Sequence, residues 1–194
     1  MAVKSSISHR RTVAKESFKT AADCIGEISS GMALFAVTRG QFSMLDAVLH
    51  VLDQVGRAKL TLWTWTIAEY EIERFKELQR DGRLYDSVLM IDGAARRKNA
   101  ALIADWKASF GADSVRYVSN HSKIATVDGG GFKLLLRGSM NLNFNPRFEQ
   151  FDLTEGGADF DLVKEIEAEL PILGDDCSGA AIYKASKVAA AFDQ

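Results

Sequence analysis

Residues 120–152 gather side chains that together can break a phosphate ester. His121 and Lys123 stand two apart in the run Asn-His-Ser-Lys-Ile-Ala-Thr-Val-Asp. Residues 124–127 are β-prone, and strand alternation puts His121, Lys123 and Ala125 on one face. A neutral imidazole beside an ammonium can attack phosphorus and neutralise the oxygens around it. Gly129, Gly130 and Gly131 signal a turn, and residues 132–137 read as the returning strand of a hairpin. That return brings Ser139 and Asn141 back beside His121 as neutral donors to the same phosphate. Glu149 is then expected to accept the second imidazole N–H, fixing the tautomer and supporting a charged intermediate.

The pattern His121-x-Lys123-x4-Asp128, followed by Gly138-Ser139-x-Asn141 and then Glu149, resembles the signature of the phospholipase D superfamily, the HKD motif. The first part arises by chance in roughly one chain of this size in a hundred. Requiring the second part on the next strand lowers that by a further factor of roughly several hundred. The small bacterial nuclease-like members with one motif are the nearest in kind. One spacing departs from the family: nine residues, 129–137, separate Asp128 from Gly138, where six are usual. Extra residues at a triple-glycine tip lengthen a hairpin without moving its base.

The resemblance implies a metal-free, two-step phosphodiesterase without a cofactor. One histidine forms a phosphohistidine and a second protonates the leaving oxygen. It assigns catalysis to His121, Lys123, Asn141 and Glu149 and phosphate binding to Lys123, Ser139 and Asn141. Asp128 and Gly138 support the motif. The histidines are His9, His50 and His121, and only His121 lies in the pattern. A complete site therefore implies a homodimer, with two His121 meeting at an isologous seam. His50, alone in a helical pattern, reads as structural.

These residues need a scaffold, and the chain supplies alternating elements. Strand-like runs at 32–38, 58–67 and 85–91 alternate with helical patterns at 44–55, 69–80 and 96–110. Ser43 is a plausible N-cap and Gly56 a stop. A strand at 114–118, the hairpin, a strand at 148–153 and a helix at 160–170 follow. Such alternation implies an α/β fold, a mixed sheet flanked by helices on both faces. The reading divides the chain into a basic, flexible or partly helical arm (1–30), a phospholipase D-like domain (31–173) and a C-terminal tail (174–194), irregular or with a short helix. Trp63 and Trp65 share one strand face, a pattern of core or sheet–helix packing. The end of that strand opens towards the phosphate site in the family, so Trp65 and Thr66 are pocket candidates. Arg96 and Arg97, with Lys98, open the next helix, where cations oppose the macrodipole, and they are candidate polyanion contacts.

The 194 residues, 47% hydrophobic and 26% charged, are those of an ordinary globular domain. No apolar run reaches the length of a membrane span, and a cytoplasmic setting with Cys24 and Cys177 reduced is expected. The net charge of −2 gives no bulk support for nucleic-acid binding. The charge is unevenly spread, however: residues 1–19 hold five cations against Glu16, and residues 152–176 hold nine acids against Lys164. Nucleic acid is the expected partner and a membrane is not, since no basic amphipathic helix marks a lipid-facing surface. Two alternatives remain open: a nucleic-acid-binding or assembly protein on the same scaffold without chemistry, and a phospholipid phosphodiesterase.

Overall fold

The computed structural model describes residues 10–13 and 19–187. The strands are β1 (Arg10–Val13), β2 (Ala33–Thr38), β3 (Ala58–Thr64), β4 (Leu84–Asp92), β5 (Val115–Val118), β6 (Lys123–Gly129), β7 (Phe132–Gly138) and β8 (Glu149–Glu155). They form one sheet in the order β1-β2-β8-β7-β6-β3-β4-β5. Pairs β1/β2, β3/β4 and β4/β5 are parallel, and the pairs through β6, β7 and β8 are antiparallel. Helices α1 (Ala21–Ile25), α2 (Met44–Val55), α3 (Glu69–Arg80), α4 (Ala100–Phe110), α5 (Ala158–Glu169) and α6 (Gly179–Ser186) complete the fold.

The connections from β2 to β3, β3 to β4 and β4 to β5 all step the same way across the sheet and place α2, α3 and α4 over one core. Their apolar stripes, with Val48, Leu52, Phe75 and Trp106, close the main core over Leu60, Leu62, Leu89 and Leu136. On the other face Ile166 of α5 and the following Leu170 pack on Trp63, Val88, Met90 and Val118. The sheet is thus mixed and covered by helices on both sides, as the alternation of elements implies. Among the described residues no helix is long and apolar enough to cross a membrane.

Local chemistry explains the boundaries that matter for the site. Ser43 and Asp46 form a reciprocal capping box at the start of α2. Gly129 pairs with Phe132, which leaves Gly130 and Gly131 as a two-residue turn. Their φ values of 59° and 84° are the left-handed pair that a type I′ hairpin requires. The extra length of this hairpin is therefore taken up as regular pairs, and Lys123 remains opposite Gly138 at the open end.

Several expectations need correction. Arg96, Arg97 and Lys98 do not open α4; they lie in a run of turns before it, and Asn99 is the N-cap. The Asp92 carboxylate accepts from Ala94 N at 2.8 Å and starts that run. Residues 10–13 of the expected arm form a strand, because the outer edge of β2 offers unpaired backbone groups; residues 1–9 and 14–18 lie outside the described residues. Helix α1 sends Ala21, Cys24 and Ile25 into the main core, and α6, from the expected tail, sends Ile182 there. His50 contacts the Gly26 carbonyl at 2.9 Å, the structural role its helical setting suggests.

Candidate active site

The sheet register carries the expected residues to one edge. Strands β2, β3, β4 and β5 end there, at Thr38, Thr64, Asp92 and Val118. The antiparallel strands bring Lys123 opposite Gly138 and Glu149 opposite Thr38 at the same edge. Ligands of open α/β sheets bind at this carboxyl end of the parallel strands. Asp128 does not reach it: it sits at the far end of β6, opposite Lys59 and Lys133.

Asn120, a residue the motif does not single out, fixes the loop that carries His121. Its backbone N–H donates to Asp92 Oδ2 at 2.9 Å, and its Oδ1 accepts from Ser122 N at 2.8 Å. Its buried amide reaches the Thr64 carbonyl at 3.3 Å. One residue, through its backbone N–H and its side chain, thereby ties together the ends of β3 and β4 and the start of β6. His121 stands exposed above this knot, and Lys123 donates to its Nδ1 at 3.2 Å and to its carbonyl oxygen at 2.7 Å. An ammonium only donates, so Nδ1 is the acceptor and a neutral ring carries its proton on Nε2.

On the next strands, Gly138 allows a contact no other residue could make. A Cβ built there would lie 2.1 Å from the Gln150 carbonyl oxygen. Ser139 follows: it donates its hydroxyl proton to Glu149 and accepts from Gln150 N at 2.9 Å. Glu149 also accepts from Asn145 Nδ2 at 3.3 Å. Among the described residues its bonds run to Ser139 and Asn145, and His121 is not one of its partners. Ser139 is likewise not poised as a phosphate donor in this arrangement. The amide of Asn141 makes no hydrogen bond to any described residue, while its carbonyl accepts from Met44 N at 3.0 Å. Leu142 O accepts from Leu45 N as well. The first N–H groups of α2 therefore hold this loop.

Around the edge, Trp65 is 48% exposed with its ring centroid 6.5 Å from that of His121. Its neighbour Trp63 instead packs under α5 and donates to Glu167 at 2.9 Å. Thr66 faces Asn99, from which it accepts at 3.1 Å. Arg96 is half-buried, bound to the carbonyl and thiol of Cys177 and lying over Tyr117, so it pins the segment before α6. Arg97 and Lys98 are exposed. On the β8 side, Phe144 and Phe148 are 61% and 63% exposed. Arg39 sits 5.6 Å from the Phe148 ring centroid. Motif reading passes over Asn120, Asn145, Phe144 and Phe148; only the asparagine preceding His121 carried a local signal, as a turn former.

No family model matches the chain, and no curated protein matches it. Solved structures do match in part. One is TrmBL2, described as an archaeal chromatin protein whose structure shows a novel mode of DNA binding. It is 13% identical over 68% of this chain and 49% of its own, with a TM-score of 0.41. The chain thus spans about half the length of that protein, and so partial a likeness carries no functional argument.

Proposed function

We propose that the chain is a metal-independent phosphodiesterase, a nuclease that cleaves DNA or RNA through a phosphohistidine. The observation that carries this reading is the Lys123 ammonium on the exposed His121 ring at the carboxyl edge of the sheet. A phosphate oxygen is a stronger acceptor for the ammonium than a neutral imidazole. An arriving diester draws Lys123 onto itself and frees the ring for attack. A bond forms from an imidazole nitrogen to phosphorus while the bond to the leaving oxygen breaks, and that oxygen takes a proton from the His121 of a second copy. Water, deprotonated by that second imidazole, then displaces the phosphohistidine. Lys123 and Asn141 stabilise the equatorial oxygens, the part metals play in other phosphoryl transfers.

The second copy is required because His121 is the sole histidine of the motif. The exposed Phe144 and Phe148 beside the Asn141 loop support a seam there. The commitment of the Ser139 proton to Glu149 favours the rival reading, a nucleic-acid-binding protein without chemistry. Turnover of labelled DNA, labelled RNA and a chromogenic phosphodiester in EDTA decides between them, with His121→Ala as the control. Hydrolysis in EDTA that is lost in the variant is expected. Binding without any turnover would favour the rival reading.

A further inference from the structure

Towards β8 the exposed groups include Phe144 and Phe148, assigned above to the seam, with Arg39 and Arg147 among them. Towards β4 the loops carry Trp65, Arg97 and Lys98 and the start of α3 carries Tyr70, all exposed. The Asn99 amide on Thr66 ties the loop after β3, which carries Trp65, to the turns after β4, which carry Arg97 and Lys98. Among the described residues neither Arg97 nor Lys98 forms an ion pair. The Trp65 ring lies beside His121, and Tyr70, 65% exposed, begins the next helix.

Aromatic faces interleaved with unpaired cations are what an unpaired nucleic-acid strand requires: bases stack on the rings and phosphates follow the charges. In a duplex the base faces are covered by their neighbours and only groove edges and phosphates are presented. A tryptophan standing next to the scissile phosphate therefore gains a stacking partner from a single strand and none from the interior of a duplex. We infer that Trp65 is a base-stacking platform that selects single-stranded nucleic acid, with Arg97 and Lys98 receiving the phosphates that lead away from the site. This rests on the nuclease reading for the identity of the site, but it is measured by binding.

The test uses a His121→Ala background, so that nothing is cut, with a fluorescent oligothymidylate and its duplex with oligoadenylate as probes. The parent protein is expected to bind the single strand more tightly than the duplex and to show tryptophan-fluorescence quenching. Trp65→Ala should weaken the single strand about fivefold to a hundredfold, the loss of one stacked base, and abolish most of the quenching. Trp65→Phe should restore most of the affinity. The Arg97→Ala/Lys98→Ala double variant should weaken both probes and flatten the salt dependence. Equal affinity for both probes in the parent, or unchanged single-strand binding in Trp65→Ala, overturns the inference. Absence of chromogenic diester turnover by the unsubstituted protein counts against the phosphodiesterase reading instead, and leaves the binding comparison decisive for Trp65.

Discussion

Glu149 shows how a residue can be found by pattern and yet be given a different task by the structure. The spacing of the motif points it at His121, but the folded chain uses it to hold the Ser139 hydroxyl and the Asn145 amide. Glu149→Gln keeps the shape and removes the charge that both contacts use. Turnover is expected to fall about tenfold to a thousandfold with the fold intact, the range of acid–base and positioning assistance. Activity equal to the unsubstituted protein would show that Glu149 is a structural acid only. Metal dependence belongs at this scale too: with lysines neutralising the phosphate, hydrolysis should persist in EDTA, and a strict need for an added divalent ion would refute the assignment of Lys123. His121, Lys123 and the glycine before Ser139 were legible because their chemistry is local in sequence. Asn120 was legible only as a turn former, and the roles of Asp92 and Asn145 were not, since their value lies in bonds made once the strands have assembled.

At the level of elements, the β7–β8 junction depends on an absent side chain. Gly138→Ala would drive a Cβ into the Gln150 carbonyl, and neither strand can retreat without breaking pairs on its other side. A loss of about 2–3 kcal/mol is expected in urea denaturation, as for other overpacked positions, with a larger loss of activity because Ser139 moves with the strand. The segment before α6 offers a pH test. The Asp175 carboxyl is held below the ordinary carboxylate range, chiefly by Lys107 and then by Tyr117. Its folded value lies below its unfolded one, so its contribution is present above about pH 4 and is lost as the pH falls through the lowered value. Protection of residues 171–178 from hydrogen exchange, relative to the intrinsic rate at each pH, should fall below pH 4 and fall at neutral pH in Lys107→Ala; pH-independent protection would contradict the clamp. The element order was legible from periodicity and stop signals. The strand at residues 10–13 and the core role of α6 were not, because an edge pairing and a single buried Ile182 leave no periodic trace.

For the whole molecule, the proposed second copy makes a quantitative demand. Heterodimers of the unsubstituted chain with His121→Ala hold one imidazole at the seam, so activity after mixing and re-equilibration should fall roughly as the square of the unsubstituted fraction. A linear fall, or full activity from a monomer by light scattering, would mean that each chain works alone. In an active dimer the two His121 rings should approach within about 7 Å of each other across the axis, each reaching one phosphate by a hydrogen-bond distance. The place of β8 in the sheet has a further consequence, one of timing. Residues 149–155 insert between β2 and β7, so the antiparallel partner of β2 is made more than a hundred residues after β2 itself. Such distant pairing is slow, and until it forms both neighbours present bare edges. A chain halted on the ribosome before residue 149 already owns His121 and Lys123 but lacks the strand that braces Ser139. The brace on Ser139 is therefore formed only once residues 149–155 have been made and have paired with β7.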